Sequence, residues 1–267
     1  NASINYFKQQ GIIKGSDLDR FIGRVGVEQK AINDKLKLGF SLTNSVSNSN
    51  LVPYRNTILS QTLTYLPTAP VKNADASYFD NLTQSNYYNP VSMLENAQEN
   101  LKYKNLLGSL TANLKLPFGF SYDVAVSYQN YQTVYGAFYN SLYTSRYNNV
   151  RNTPDPPANP SIASLIGQNG VGVRNAYQNT NKILETYLTW DRKFGDHSIN
   201  AVIGYSYQSS IIGDGVQASS TNFPINQVGY YNLSLGNPYA VKDFRVDYGG
   251  NTYQEVLLIS DFARVNY

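Results

Sequence analysis

The feature that most limits how this chain can fold is a side-chain alternation of period two that lasts longer than a soluble strand requires. Phe120, Tyr122, Val124, Val126 and Tyr128 alternate with Ser121, Asp123, Ala125, Ser127 and Gln129. Successive side chains of a strand point to opposite faces, so this segment is apolar on one face and polar on the other. Leu36, Leu38, Phe40 and Leu42 stand in the same way against Lys37, Gly39, Ser41 and Thr43. So do Leu106, Gly108, Leu110, Ala112 and Leu114 against Ser109, Thr111, Asn113 and Lys115, and Leu184, Thr186, Leu188 and Trp190 against Glu185, Tyr187, Thr189 and Asp191. Ile199, Ala201, Ile203, Tyr205 and Tyr207 continue the pattern. Nearer the start, Phe21, Gly23, Val25 and Val27 oppose Arg20, Ile22, Arg24 and Glu28, after a first strand that ends at Gln10 and a turn at Lys14-Gly15-Ser16-Asp17. The last strand, Val256 to Tyr267, alternates too weakly for its faces to be assigned.

The connections are as informative as the strands. Asn33-Asp34, Pro117-Phe118-Gly119 and Gly195-Asp196-His197-Ser198 make tight turns of suitable chemistry. Between them lie long Asn-, Tyr- and Pro-rich stretches at about 48–101, 132–181 and 213–254. In the first of these, Thr57 to Tyr65 reads as a short helix ahead of Pro67. Antiparallel strands alternate in direction, so the short turns gather at one end of the sheet and the long loops at the other. Outer-membrane barrels have this asymmetry, with short periplasmic turns and long extracellular loops. Strands of roughly 12 to 15 residues exceed the roughly 5–6 of soluble sheets and cover the roughly 9–11 that cross a bilayer. The expected fold is therefore all-β, a segment of transmembrane antiparallel β-barrel of about eight strands. Its polar face, with Lys115, Asp123, Glu185 and Asp191, is expected to line a wet lumen, because these charges are costly in lipid. A soluble sandwich with long loops is the lesser alternative.

Composition fits. Mean hydropathy is −0.38, which suits a barrel that shows lipid only every second side chain. The 24 Tyr favour pleated strands and interfacial positions. A net charge of +3 without a basic run argues against nucleic acid as partner. No stretch approaches the length of a membrane helix. Without cysteine there is neither a disulfide nor a thiolate metal site. With one histidine, His197, the chain has little material for nucleophilic or zinc chemistry, so no catalytic, cofactor or metal residue is expected and the chain is not read as an enzyme.

The remaining polar and aromatic candidates each have a structural reading. His197 reads as a solvated turn residue, and the pairs Asp17/Asp19 and Asp75/Asp80 as loop or turn formers. The spacing of Asp75 and Asp80 is not that of a recognisable calcium loop. Trp190 beside Asp191-Arg192-Lys193 reads as an interfacial anchor. Tyr87, Tyr88, Tyr139 and Tyr143 have faces suited to a ligand or a covering partner, although packing of the loops on one another is preferred. The chain begins at Asn1 in mid-strand, with no signal sequence, and is expected to be an internal piece of a longer protein.

Three segments resemble the SusC/RagA family of TonB-dependent outer-membrane transporters of Bacteroidetes. They are Asn5 to Ser16, carrying Gly11-Ile12-Ile13-Lys14; Tyr65-Leu66-Pro67-Thr68-Ala69-Pro70-Val71 with Tyr78-Phe79 and Asn89-Pro90-Val91; and Ser260-Asp261-Phe262-Ala263-Arg264-Val265-Asn266-Tyr267. The resemblance covers essentially the whole chain, which corresponds to an internal part of the family's plugged barrel of roughly 22 strands. The plug domain and TonB box have no counterpart within it. The resemblance implies TonB-energised import of an oligosaccharide or peptide through the SusC-like barrel of a SusCD-type complex. It also implies a SusD-like surface lipoprotein as lid, TonB acting through regions outside this chain, and residence in the outer membrane. The alternative is a self-contained eight-stranded barrel with an adhesive or structural role, which requires the first and last strands to pair.

Overall fold

The computed structural model describes residues 1–79, 81, 87–146, 170–221, 223–236 and 253–267. Eight strands form one antiparallel sheet in chain order: β1 (Ala2–Gln10), β2 (Asp17–Ala31), β3 (Leu36–Leu51), β4 (Ala97–Lys115), β5 (Phe120–Tyr139), β6 (Val171–Phe194), β7 (His197–Thr221) and β8 (Gln254–Asn266). Three short helices, α1 (Arg55–Thr64), α2 (Pro90–Glu95) and α3 (Ser141–Arg146), lie in the connections. None of the described helices is long and apolar enough to cross a membrane, which says nothing about strands. β1 and β8 do not pair with each other, so the sheet is open, and the closure that the self-contained barrel requires is missing.

Register fixes the faces. Val25 pairs with Leu42, Leu42 with Gly108, and Gly108 with Tyr128. Val126 pairs with Leu184, Leu184 with Tyr207, and Tyr207 with Ile259. One face of the sheet is thus apolar across all eight strands. The opposite face carries Ser41, Thr43, Ser109, Thr111, Asn113 and Asp123. β8, unassigned from its sequence, puts Leu257, Ile259, Ala263 and Val265 on the apolar face and Ser260 and Arg264 on the polar one. Asp261 stands on the apolar face opposite Tyr205.

The apolar face ends at a common height. Moving away from the short-turn end, it changes from Phe21 to Asp19 on β2, from Val46 to Asn48 on β3, where Asn44 interrupts it two positions lower, and from Leu106 to Lys104 on β4. On the next three strands it changes from Tyr128 to Asn130, from Leu184 to Lys182 and from Tyr207 to Ser209. The change falls eight to ten residues above the short-turn end of each strand; Val46 lies ten above Leu36 and Tyr128 eight above Phe120. Aromatic groups mark the lower rim of the same face. Trp190 stacks on Phe120 at 6.1 Å and donates its Nε1–H to the Phe118 carbonyl (3.1 Å), and His197 stacks on Tyr267 at 5.7 Å. Trp190 therefore sits on the rim, as an anchor does.

The structure revises the boundaries of the long connections. The sequence pattern places them at about 48–101, 132–181 and 213–254, but strands occupy 48–51, 97–101, 132–139, 171–181 and 213–221. β6 and β7 reach 24 and 25 residues. Above the apolar band both faces are covered in part. Ile58, Met93 and Tyr143 lie over Ala137, Tyr139 and Val171 on the Asp123 face, and Phe223 and Tyr230 lie over Phe138 on the other. Neither face of these extensions is uniformly apolar or polar, so no period-two signal survives. On β7 a bulge adds a second reason. Gln178 pairs with Asp214 but Thr180 with Ile211, so β7 holds one extra residue at Ile212-Gly213. Gly213 takes φ +72° there, and its N–H is satisfied by Asn179 Oδ1 at 3.2 Å. The end asymmetry has one exception: the β1–β2 connection at the loop end spans only residues 11–16.

Candidate functional site

Two regions gather the candidate residues: the polar wall and a cap over its loop end. The cap begins with the helix expected at Thr57–Tyr65, which runs from Arg55 to Thr64. α2 was missed, although its signal is plain: Asn89 is the N-cap and Pro90 follows at the first helical position. Asn89 is buried. Its Oδ1 accepts from the backbone N–H of Val91 (3.1 Å) and Ser92 (3.2 Å), and its Nδ2 donates to the carbonyls of Val71 (2.8 Å) and Phe79 (3.1 Å). A single amide thus ties the bend at 71–79 to the start of α2. Gln61 of α1 accepts from the Tyr88 N–H at 2.8 Å, and Asn140 donates its Nδ2–H to Asn96 Oδ1 at 2.7 Å.

The cap packs on the polar side of the sheet. Its core joins Ile58, Met93 and Tyr143 to Ala137, Tyr139 and Val171, and these last three lie on the face that carries Asp123. Tyr139 and Tyr143 are fully packed, with ring centroids 5.1 Å apart, and Tyr54 lies 5.3 and 6.0 Å from them. Tyr88 is half-buried against the same core. Tyr87 stacks on Tyr65 at 5.1 Å, and its hydroxyl accepts from the Leu66 N–H at 2.9 Å. Of the four tyrosines read as loop residues from the sequence, Tyr139 lies on β5, at the end of the strand, and all four pack within or against the cap.

A polar latch joins the β1–β2 turn to this cap. Lys14 Nζ lies 2.7 Å from Glu95 Oε1, Tyr78 donates its hydroxyl to Glu95 Oε2, and the Lys72 ammonium lies 5.0 Å from the Tyr78 ring centroid. The hydrogen bond from Lys14, joined by that from Tyr78, holds the Glu95 carboxyl below its ordinary pKa. Desolvation, then the bond to Glu95, pushes Tyr78 up to about 12. The Asp75 carboxylate is held low by the Ser77 hydroxyl and N–H, in a local turn. Asp80 lies outside the described residues. Among the described residues no cluster of His, Cys, Asp or Glu is arranged to hold a metal.

On the polar wall, Asp123 pairs directly with Tyr187, whose hydroxyl donates to Glu185 at 2.9 Å. Asn113 donates to Asp123 at 2.5 Å and Asn200 to Asp191 at 3.3 Å. Asp123, Glu185 and Asp191 thus share one face and have no cationic partner among the described residues. Nearer the cap, Tyr103 stacks on Tyr131 at 5.7 Å, with Tyr177 on the same face of the neighbouring strand. Asn105, Gln129 and Asn179 flank these rings. This uncharged aromatic patch was not singled out in the sequence, because it lies where alternation has faded.

A long sheet with one apolar band, an aromatic rim, a polar opposite face and a cap on that face at one end is a segment of outer-membrane-type barrel wall. Two TonB-dependent receptors of Formosa agariphila are similar to it. One is 25% identical over 98% of the chain and the other 27% identical over all of it. The chain spans about a quarter of their length, 24% in each case. Among solved structures, the RagAB peptide transporter matches 99% of the chain with a TM-score of 0.61 at 15% identity, over 27% of its own chain. Its closed-closed and open-open states match with TM-scores of 0.60 and 0.61. No protein-family model matches the chain. The SusC/RagA resemblance read from the sequence is thus met by curated relatives that are TonB-dependent receptors and by a RagA-like fold along the whole chain.

Proposed function

We propose that this chain is a stretch of barrel wall, with its extracellular cap, from a TonB-energised importer of the bacterial outer membrane. The observation that carries this reading is the common height at which the apolar face ends on six neighbouring strands. A soluble sheet has no reason to end its apolar face at one level, whereas a bilayer imposes one. The height matches the roughly 9–11 residues a tilted strand needs to cross. In this reading the apolar face meets lipid, and the short turns face the periplasm. Asp123, Glu185 and Asp191 line the lumen, and the cap overhangs its mouth.

The barrel works as the SusC-like half of a SusCD-type complex. A SusD-like surface lipoprotein covers the cap, and TonB acts through parts of the protein outside this chain. The cargo is an oligosaccharide or a peptide. The exposed faces of Tyr131 and Tyr177, flanked by amides, suit an uncharged, hydrogen-bonding ligand of either kind.

Cysteine labelling of the intact protein in a cysteine-free background tests the placement. Ala74→Cys in the cap should react on whole cells with a membrane-impermeant maleimide, while Asp34→Cys should react only once the outer membrane is permeabilised. Equal labelling of the two on whole cells refutes it. Nutrient uptake that survives loss of TonB refutes the energised part separately.

A further inference from the structure

The lysines of the described strands sort by height and face. Those near the short-turn end, Lys30, Lys37, Lys115 and Lys193, all lie on the polar face. Those above the apolar band, Lys8, Lys102, Lys104 and Lys182, all lie on the continuation of the apolar face. A chain that needed lysine only for solubility has no reason to sort them so.

Lys8 is compensated, lying 3.9 Å from Asp19. Lys102, Lys104 and Lys182 have no ion-pair partner among the described residues. Their cross-strand partners on this face are neutral. Lys102 pairs with Asn48 and Val134, Lys104 with Val46 and Gln132, and Lys182 with Tyr128 and Ser209. The carboxylates of this face at that height are engaged elsewhere. Asp19 is held by Tyr6 and Lys8, Asp17 by Asn50, Asp214 by Gln178 and Glu255 by Ser209. Lys102 and Lys104 are two positions apart on one strand, about 7 Å, so each raises the cost of the other's charge unless an anion lies between them.

We propose that Lys102, Lys104 and Lys182 bind the phosphate groups of outer-leaflet lipid, on the outside of the wall. The proposal rests on the membrane placement given above. On the same face Leu106 stands two positions below Lys104 and Leu184 two positions below Lys182, with Tyr128 beside Lys182, where lipid chains begin. The lysine stems run along this apolar border and bring their charged ends to the headgroup level. The amides of Asn48 and Gln132, cross-strand neighbours of Lys102 and Lys104, offer further donors to phosphate oxygens. Free phosphate has the same charge but no reason to prefer the lipid side of the wall.

The test uses the intact protein reconstituted in phosphatidylcholine vesicles with and without phosphatidic acid, followed by native mass spectrometry of the extracted complex. Wild type should retain phosphatidic acid. Lys102→Gln/Lys104→Gln/Lys182→Gln should lose it, with affinity falling about fivefold per lysine, or roughly a hundredfold in all. The corresponding triple arginine variant should retain it, and so should Lys30→Gln/Lys37→Gln on the polar face. Equal retention by the triple glutamine variant overturns the proposal, as does displacement of the lipid by millimolar inorganic phosphate. Vesicle flotation separates the two readings. Protein that fails to float sinks the membrane placement, whereas protein that floats but retains lipid without the lysines sinks this site alone.

Discussion

Replacing Asn89 by alanine should open the cap while leaving the wall intact. The substitution removes four hydrogen bonds at once. Losing the N-cap costs about 1 kcal/mol. The Val71 carbonyl keeps a partner, because it also accepts from the Phe79 N–H at 3.1 Å, so its lost bond is worth about 1 kcal/mol. The Phe79 carbonyl loses its Asn89 donor in a part-buried site, at about 1–2 kcal/mol. The total of about 3–4 kcal/mol is a rise of more than a hundredfold in the open fraction of the 71–95 segment. None of these bonds involves the ladder, so the paired strands should not respond. Hydrogen exchange with mass spectrometry on the intact protein reads this directly. Amides of 71–79 and 91–96 should exchange about a hundredfold faster, with those of β4 and β5 unchanged. Asn89→Asp separates the contributions: it keeps the cap acceptor, loses the two donors, and should give an intermediate effect. Unchanged exchange in Asn89→Ala, or loss of protection spread through the sheet, refutes the assignment of Asn89 as a local tie.

Three further outcomes follow from the same geometry. Leu110→Arg on the apolar face should cost roughly 2–4 kcal/mol of folding in liposomes, and Thr111→Arg on the opposite face much less; equal costs by denaturant titration would reverse the faces. Gly119→Ala should be poorly tolerated. Gly119 takes φ +85°, and an added Cβ would lie 2.2 Å from the Asp191 carbonyl oxygen, so the folded fraction on unheated gels should drop sharply. The Lys14–Glu95–Tyr78 latch should hold at neutral pH and loosen at both extremes. Glu95 has a lowered folded pKa, so its contribution is present above the ordinary carboxylate range and is lost as pH falls through the folded value. Tyr78 has a raised pKa, so its contribution is complete below about pH 10 and is lost as pH rises through about 12. Spin labels on Ile12→Cys and Ala74→Cys should report a distance that broadens at both ends, and a distance unchanged down to pH 3 removes Glu95 from the latch.

What could be read from the sequence follows where water and lipid impose different demands. Between Phe120 and Tyr128 one face meets each medium, and strand, face and turn are all legible. From Asn130 to Tyr139 the cap covers one face at its upper end and Phe223 and Tyr230 cover Phe138 on the other, so strand β5 continues without a pattern to show it. Helix α2 carried a readable Asn89-Pro90 start but is six residues long, too short for helical periodicity to register. The tyrosines show the limit most clearly. Tyr139 and Tyr131 lie on one strand and one face, yet Tyr139 is packed under α1 and α2 while Tyr131 lies open on the wall. What separates them is the position of a loop distant in sequence, which no local pattern encodes. The faces of β8 were unreadable because Leu257, Leu258 and Ile259 are all apolar; register sends the middle one to the polar side.

The bulge at Ile212-Gly213 has a consequence for how such walls tolerate change. It lies above the level where Tyr207 gives way to Ser209, and it is the one register shift between the described strands. In lipid an unpaired backbone group has no water to turn to, so an extra residue there is expensive. Above the band the same residue costs little, since the Asn179 side chain and solvent serve its backbone. On the proposed placement the bilayer acts as a sieve for insertions and deletions: lengths within it are held in strict count, and lengths above it are free to drift. Loops and cap can be lengthened, shortened or exchanged from the bulge upward while the lower wall keeps every side chain on its own face.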